Sequence, residues 1–468
     1  MTDDALHYRS LLEVAGKIRS RELSPVTLTE TMLRRIEQVD PALHSYAIVT
    51  ADLALDQARQ AEDEIVKGRY RGPLHGVPIA VKDLCFTKGI RTACGTTILS
   101  DWQPEINATV VERFRTAGAV LLGKLEMTEG AFADHHPEVE RPLNPWHPDH
   151  WAGASSSGSG VATAAGLCYG SLGSDTGGSI RFPSASNGVT GLKPTWGRVS
   201  RYGVFPLSDS LDHIGPMARS TADAAALLAA IAGRDDNDPT TLPDPVPDYV
   251  AGLDDGVFGA RGLRIGIDPS FNSTGADPEV VALTEAAAGV LAELGAELRE
   301  IAMPDVRGVL EGWTPLCAVE TAVAHADTFP ARADEYGPTL RGFIEIGRAI
   351  DVLALAAHQI ERDRFKGRLL RQFLDVDLIL VPAMYAAGPT FERMSRLDDP
   401  EELLMLLRFT APFDMSGSPT ITMPCGFSAR GLPVGFQLVG PHLSEGLLLR
   451  AGHAYQQATP WHTMTPPV

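Results

Sequence analysis

The sequence contains few cysteines and no long uninterrupted apolar stretch. Its five cysteines are spread over 468 residues without a Cys-x-x-Cys pair, so neither a disulfide framework nor a thiolate zinc site is expected. No run reaches the roughly 18 apolar residues of a membrane helix, and the opening MTDDALHYRS lacks the apolar core of a signal peptide. We therefore predict reduced thiols, a location in the cytoplasm and no membrane partner.

Clustered positive charge is also missing. The chain has 40 Lys and Arg against 59 Asp and Glu, a formal net charge of −19, and its basic residues are scattered. Because a phosphate backbone is bound by clustered Lys and Arg, we expect no nucleic-acid partner. The hydrophobic share of 44% is that of a globular protein with a large core.

Motifs of several enzyme classes are absent as well. The chain has neither the G-x-S-x-G of α/β-hydrolases nor the S-x-x-K of penicillin-binding enzymes. The stretch GAVLLGKL at 118–125 has the frame of a phosphate loop, but Leu125 stands where Ser or Thr would bind magnesium. The histidines at 135–136 and 147–150 lack the spacing of a metal site. We expect no cofactor and no metal.

Alternating strand and helix patterns predict an α/β fold. Apolar runs at 76–83 and 119–124 are typical of buried strands, and amphipathic runs around them are typical of helices. We predict one domain over 1–468, with a mixed, largely parallel central β-sheet flanked by helices. Within it we predict N-terminal helices at about 1–70, a core at about 71–230, a surface connection at about 235–256, a remainder at about 263–468 that completes the sheet, and a helical cap at about 306–374.

Two segments are unusually rich in small residues. They are GASSSGSG (Gly153–Gly160, the serine loop) and GSDTGGSIRFPS (Gly173–Ser184, the glycine loop). Consecutive glycines let backbone N–H groups converge on one point, where they can bind an anion. Ser179 directly follows Gly177 and Gly178 in the glycine loop. A serine beside such an oxyanion hole is what acyl transfer requires.

A serine nucleophile needs a base, and no histidine lies near the glycine loop in the sequence. A buried lysine can serve instead, because desolvation favours the neutral amine. Lys82 and Lys124 each end an apolar strand, and Lys193 follows the glycine loop as a third candidate. The residues alone do not separate Lys82 from Lys124. A lysine that is salt-bridged to Asp83 or Glu126 and has no chemical role is the alternative.

Three stretches resemble the amidase signature family. GASSSGSGVATAAGL with GSDTGGSIRFPSASNGVTGLKPT is similar to its signature, PLHGVPIAVKD to its lysine strand, and GSPTITMPCGFSARGLPVGFQLVG to its closing segment. The resemblance spans nearly the whole chain. It implies that Ser179 is the nucleophile, Lys82 the base and Ser155 a bridging serine in a cis peptide. It also implies an oxyanion hole made of the backbone N–H groups of Thr176, Gly177, Gly178 and Ser179.

Three further residues are predicted to support this arrangement by hydrogen bonds. Asp175 and Arg181 flank the nucleophile in the glycine loop, and Ser156 follows the bridging serine. The sequence departs from the family in FTAPFDMSG, where Asp414 stands at a position that is usually asparagine. We expect this change to affect the pocket wall more than the chemistry.

The resemblance implies a hydrolase that cleaves the C–N bond of an amide or a carbamate through a serine acyl-enzyme. Aromatic side chains near the two loops favour an aryl or hydrophobic substrate, including a urethane. Simple packing of the loops is the alternative role for the tryptophans. The predicted pocket residues are Phe132, Trp146, Trp151, Phe182 and Met127.

Two other functions remain open at this point. The family includes the glutaminase subunit of tRNA-dependent amidotransferases, whose usual SIRQP is SIRFP here, with Phe182 in place of a polar residue. A binding protein on an inactive amidase scaffold is the other, although all three catalytic positions are filled. We expect a small-molecule substrate, bound by a monomer or a homodimer.

Overall fold

A single sheet runs through the computed structural model, which describes residues 3–253, 256–394 and 399–468. The order of its strands in space is β1-β3-β2-β4-β6-β5-β10-β11-β9-β7-β8. In chain order the strands are β1 Tyr46–Val49, β2 Pro78–Lys82, β3 Val120–Leu125, β4 Gly170–Asp175, β5 Thr190–Lys193, β6 His213–Ala218, β7 Arg264–Ile267, β8 Glu297–Glu300, β9 Leu378–Pro382, β10 Thr420–Phe427 and β11 Pro433–Val439.

The sheet is mixed, and its parallel pairs form two blocks. Strand β2 is parallel to β3 and β4, and β7 is parallel to β8 and β9. The other six pairs are antiparallel. Short connections such as 428–432, between β10 and β11, are long enough only for antiparallel neighbours. The predicted α/β class and mixed sheet are confirmed, with a larger antiparallel share than the sequence indicated.

Helices cover the sheet, and their ends carry the predicted signals. Helix α2 begins after Ser24, whose hydroxyl accepts from the N–H groups of Val26 and Thr27. Helix α4 ends at Gly118, which has a φ of 80°. The α-helices are α1 Leu11–Arg19, α2 Pro25–Val39, α3 Ala51–Val66, α4 Thr109–Ala117, α5 Ser157–Ala164, α6 Arg181–Asn187, α7 Thr221–Ile231, α8 Pro269–Ser273, α9 Pro278–Glu293, α10 Arg307–Ala324, α11 Pro338–Ala349, α12 Val352–Gln372, α13 Phe391–Met394, α14 Pro400–Leu407, α15 Ala411–Met415 and α16 Glu445–Ala458.

The predicted segments can be placed on this frame. The surface connection at about 235–256 has no strand or α-helix in its described part, and the cap at about 306–374 contains α10, α11 and α12. Residues 254–255 of the connection and residues 1–2 of the N-terminal region lie outside the described residues. The boundaries of the predicted segments stay predictions. In the described part of the chain no helix combines the length and apolarity needed to cross a bilayer.

The register of the central strands brings Lys82, at the end of β2, and the start of the glycine loop, at the end of β4, to one edge of the sheet. Every residue of β2 and β4 is buried. Ala80 and Val81 of β2 lie beside Ser171 and Leu172 of β4, in parallel. Because parallel strands end at the same edge, Lys82 meets the start of the glycine loop there.

Candidate active site

Lys82 lies at the end of β2 and is completely buried, with 0% of its side chain exposed. Its Nζ is 2.6 Å from Ser155 Oγ and 2.8 Å from Ser174 Oγ. Burial lowers the pKa of Lys82 to about 7, because desolvation disfavours the ammonium form. In a large fraction of the molecules Lys82 is therefore a neutral amine at neutral pH, in contact with a serine hydroxyl.

The other two candidate lysines have different surroundings. Lys124 Nζ lies 3.2 Å from Asp83 Oδ1 and donates to Thr92 Oγ1 at 2.7 Å. Lys193 Nζ donates to the carbonyl oxygen of Ser418 at 2.6 Å. Lys124 is thus a salt-bridged lysine, as in the alternative given above, whereas Lys82 is the lysine that contacts the serine loop.

The serine loop is bound to the glycine loop through Ser156. Its N–H donates to the carbonyl oxygen of Ser179 at 3.4 Å, and its Oγ donates to the carbonyl oxygen of Ser174 at 3.2 Å. The same Oγ accepts from the N–H of Ser174 at 3.2 Å. The peptide between Ala154 and Ser155 is cis. These contacts hold Ser156 on the glycine loop, while the Oγ of its neighbour Ser155 contacts Lys82.

Ser179 is partly exposed, whereas its neighbours Gly178 and Ile180 are buried. Its hydroxyl makes no hydrogen bond to another protein group in the described part of the chain. The glycine loop turns sharply here, and Gly178 has a φ of 138°, a conformation that favours glycine. The turn therefore presents the Ser179 side chain at the surface of the site.

Asp175 holds this turn and occupies one of the four N–H groups that were predicted to form the oxyanion hole. Its carboxylate accepts from the N–H of Gly178 at 2.7 Å and from the N–H of Ile180 at 2.9 Å. The N–H of Gly178, predicted as an oxyanion donor, is therefore already bonded, because the carboxylate of Asp175 folds back over the turn. The N–H groups of Thr176, Gly177 and Ser179 meet no protein acceptor within the described residues.

Arg181 connects the glycine loop to the segment before β10. It donates to Asp175 through Nε at 3.0 Å and Nη2 at 2.7 Å, and its Nη1 donates to the carbonyl oxygen of Thr410 at 2.8 Å. Its Nη2 also contacts the carboxylate of Asp414. Burial alone would raise the pKa of Asp175, but the Arg181 guanidinium holds it well below its usual range. Thr410 in turn donates to the carbonyl oxygen of Gly177 at 2.6 Å.

Sequence reasoning missed two residues that contact Thr176. Asp212 accepts from Thr176 Oγ1 at 2.5 Å, and the indole N–H of Trp313 donates to the carbonyl oxygen of Thr176 at 2.9 Å. A Cβ on Gly177 would stand 2.7 Å from the Trp313 ring. Trp313 belongs to the predicted cap, but no local pattern indicates that it reaches a loop 137 positions away.

Of the five predicted pocket residues, Phe182, Trp151 and Met127 lie beside the two loops, and Phe132 packs on α11. The Phe182 ring lies against Gly178, and Trp151 packs on Phe182 with ring centroids 5.7 Å apart. Phe132 stacks on Phe343 of α11, with centroids 3.8 Å apart at 14°. Met127 is fully buried and precedes Thr128, whose N–H donates to the carbonyl oxygen of Ser155.

Trp146 lies elsewhere. Its indole N–H donates to the carbonyl oxygen of Asn187 at 2.9 Å, and its ring packs edge-on against Phe427 at 4.9 Å. Asn187 is the last residue of α6, about 9 Å along the helix from Arg181 at its start. Trp146 therefore contacts the far end of α6 and not the glycine loop, and its predicted place in a substrate pocket stays a prediction.

The histidines that resembled metal ligands make protein contacts. His135 Nε2 lies 3.0 Å from Ser157 Oγ, and His136 Nδ1 accepts from the N–H of Glu138. The rings of His147 and His150 pack edge-on at 4.8 Å. No cluster of three or more His, Cys, Asp or Glu suited to a metal occurs among the residues that the structure describes.

Comparison with known proteins identifies the family of this chain. The Amidase family model matches residues 27–449. AmiD of Mycobacterium tuberculosis, named as an amidase, is 50% identical over 469 residues, with 100% of this chain and 98% of AmiD covered. A glutamyl-tRNA(Gln) amidotransferase subunit of Methylococcus capsulatus is 40% identical over 488 residues, with 98% of this chain and 99% of that protein covered.

A solved structure is similar over the same length. The peptide amidase PAM, in complex with the competitive inhibitor chymostatin, matches with a TM-score of 0.87 and 32% identity, and the match covers 98% of this chain and 99% of that one. The chain therefore belongs to the amidase signature family of carbon–nitrogen hydrolases. The predicted family and fold class are confirmed.

Proposed function

We propose that this chain hydrolyses the C–N bond of an amide or a carbamate through a serine acyl-enzyme, with Ser179 as nucleophile, Ser155 as relay and Lys82 as base. The observation that carries the proposal is the buried Lys82 amine, 2.6 Å from the hydroxyl of Ser155. The backbone bond from Ser156 to Ser179 supports it, because it holds the next member of the relay close by. No cofactor or metal is needed for this chemistry.

The reaction begins with a neutral Lys82. It takes the proton of Ser155 while Ser155 takes that of Ser179, and Ser179 Oγ forms a bond to the substrate carbonyl carbon. The oxyanion that develops is bound by the free N–H groups of Thr176, Gly177 and Ser179. The C–N bond then breaks, and the proton returns through Ser155 to the leaving nitrogen. Water attacks the acyl-enzyme by the same relay and releases the acid.

An aryl or hydrophobic substrate, with either an amide or a urethane group, fits the surroundings of the loop. Trp313 lies over Gly177, Phe182 lies over Gly178, and Phe132 is partly exposed on top of Phe343. Aromatic walls bind planar and apolar groups through dispersion and ring stacking. The similar peptide amidase, whose structure contains the competitive inhibitor chymostatin, supports an amide as the group that is cleaved.

The glutaminase subunit of an amidotransferase is the second candidate. Its support is the 40% identity to the Methylococcus capsulatus protein over nearly the whole chain. The 50% identity to AmiD favours a free amidase, and so does Phe182, which places an apolar ring at the loop where a glutamine side chain would need polar contacts. We therefore rank the stand-alone hydrolase first.

Hydrolysis of a small substrate panel tests the proposal. The panel contains an acyl 4-nitroanilide, an N-aryl carbamate ester, a short aliphatic amide and glutamine. We expect the wild-type chain to turn over the aryl members and Ser179→Ala to lose on the order of 10³-fold or more in kcat. Ser273→Ala, which changes an exposed serine on α8, is the matched control and should keep the wild-type rate.

Other outcomes of the same panel identify the alternatives. Turnover of glutamine alone would assign the chain to the amidotransferase subunits. Equal behaviour of Ser179→Ala and wild type with every substrate would indicate a binding protein on an inactive scaffold. Either result would contradict the proposed hydrolase.

We also propose that the chain acts on small molecules in the cytoplasm, as a monomer or a homodimer. The five cysteines are unpaired and buried, which suits a reducing compartment. Light scattering on the purified chain measures the oligomeric state directly. A higher assembly, or a requirement for a second protein, would contradict this part of the proposal.

A further inference from the structure

Lys82 and Asp212 approach the carboxyl end of β4 from its two neighbouring strands. In space β4 lies between β2 and β6. Ser174 is the last residue but one of β4, and Thr176 directly follows the strand. Ser174 contacts Lys82 at the end of β2, and Thr176 contacts Asp212, the residue before β6. Lys82 and Asp212 are therefore each one hydrogen bond away from this end of β4.

Asp212 is a buried carboxylate without a basic partner in contact. Its side chain is 7% exposed. It accepts from Thr176 Oγ1 and from the N–H groups of Leu207 and Ser208, and no ion pair to it occurs within the described residues. Burial raises the pKa of Asp212 to about 6, partly offset by these hydrogen bonds. Above that pH it is a negative charge held in place by neutral donors.

The charges nearby do not cancel that of Asp212. Asp175 is bonded to Arg181, Arg201 is paired with Asp209 at 3.1 Å, and Glu320 accepts from Ser208 and Ser210. Burial raises the pKa of each nearby thiol, so these cysteines are neutral. The titratable groups around the pair are Asp175, Cys85, Cys94, Arg201, Cys317 and Glu320.

We propose that Asp212 is a positioning residue that sets the pH range in which Lys82 is deprotonated, and that it anchors Thr176 of the glycine loop at the same time. The inference rests on the proposed function, since it assigns Lys82 the role of base. The negative charge of Asp212 favours the ammonium form of Lys82, whereas burial favours the neutral amine. Without Asp212, Lys82 would lose its proton at lower pH.

Asp212→Asn tests the proposal because it removes the charge and keeps the shape. The measurement is the second-order rate at which phenylmethanesulfonyl fluoride sulfonylates Ser179, followed by mass spectrometry between pH 5 and 9. We expect the midpoint of the rising limb to move to lower pH by about one unit in Asp212→Asn. Asp223→Asn, a buried aspartate on α7 beside Arg219, is the matched control and should keep the wild-type midpoint.

A charge-conserving variant separates the charge from the hydrogen bonds. Asp212→Glu should keep the wild-type midpoint even where its rate falls. An unchanged midpoint in Asp212→Asn, or an acid-shifted midpoint in Asp212→Glu, would overturn the role of Asp212. Absence of Ser179 labelling in the wild type at every pH would instead overturn the proposed function, and with it the role given to Asp212.

Discussion

The protonation of one amine controls the proposed chemistry at the scale of single residues. Burial lowers the pKa of Lys82 from 10.5 to about 7, so its neutral fraction grows as the pH rises through 7. We expect kcat/KM for the best panel substrate to rise about tenfold per pH unit below pH 7 and to level off above it. Steady-state kinetics between pH 5 and 9 measure this profile.

Two results would contradict that prediction. A rate that still rises tenfold per pH unit at pH 9 would mean that Lys82 keeps a pKa near the ordinary lysine value of 10.5 and is charged at neutral pH. A rate that falls between pH 5 and 8 would exclude a lysine base. Lys82→Ala should lie near the residual activity of Ser179→Ala at every pH, because the proton of Ser155 then has no acceptor.

Gly178 is a second residue on which the proposed activity depends, through its backbone conformation. Its φ of 138° is rarely adopted by other residues, and an added Cβ would stand 2.4 Å from the Phe182 ring. We expect Gly178→Ala to lose about 2 kcal/mol or more in stability and at least about tenfold in kcat/KM. Thermal unfolding and kinetics measure both effects.

A glycine substitution in open space is the control for Gly178→Ala. A Cβ added to Gly289 of α9 would have no atom within 4 Å, and the φ of this glycine is ordinary. Gly289→Ala should keep full activity and unfold at the same or a higher temperature, since alanine favours a helix interior by about 1 kcal/mol. Equal behaviour of the two variants would show that Gly178 tolerates a side chain.

At the residue scale the sequence provided the candidates for the site, through resemblance and through the chemistry of small residues. Ser179 could be proposed from the two glycines before it, whereas Ser155 was assigned a role only through the resemblance of the serine loop. Lys82 needed the resemblance, since its environment equals that of Lys124 in the sequence. The bond from Asp175 to the N–H of Gly178 could not be predicted, because it depends on how the turn folds back.

At the scale of elements, α10 is the helix that covers the glycine loop. Its Trp313 donates to the carbonyl oxygen of Thr176 and packs its ring on Gly177. Trp313→Phe keeps a ring and loses one neutral hydrogen bond of about 1 kcal/mol, so we expect about a fivefold fall in kcat/KM. Trp313→Ala should fall much further, since it also empties the space over the loop.

The control for Trp313 lies on the same helix. Val323 is 72% exposed on α10, and Val323→Ala should leave the kinetics unchanged. Kinetics on the acyl 4-nitroanilide and on the short aliphatic amide measure the effect, with the larger loss expected for the aryl substrate. Wild-type activity in Trp313→Ala would contradict a role of α10 in the site.

Strands and helices were predictable where the hydrophobic pattern of one short stretch follows a single period. The apolar runs of β2 and β3 and the capped helix α2 follow from short-range patterns and are present in the structure. Strand pairing joins residues that are far apart in the chain, for example β5 with β10. The antiparallel share of the sheet depends on such pairing, so local patterns could not provide it.

At the scale of the whole molecule, the site is assembled from one continuous sheet. Its residues come from β2, the two loops, the segment before β6, α10 and the segment before β10, all within one chain. We therefore expect the purified chain to hydrolyse the best substrate of the panel without a partner protein, with a rate per active site that does not depend on enzyme concentration. Dilution series monitored by kinetics and light scattering measure this.

A partner requirement would appear in the same dilution series. Activity that increases only when a cell extract is added would support the amidotransferase alternative. Loss of specific activity on dilution would show that the site is completed by a second copy.

The sequence by itself determined the α/β class, through its local patterns, and the family, through three contiguous stretches that resemble it. The residues pointed to Ser179 as the proposed nucleophile, and the resemblance supplied Ser155 as relay and Lys82 as base. Only the tertiary structure decided that Lys124 is paired with Asp83, that Gly178 is not a free donor, and that Asp212 and Trp313 support Thr176. Each of these is a contact between side chains or turns that the local sequence does not specify. Folding brings them together when distant strands and helices pack, and the burial that results lowers the pKa of Lys82.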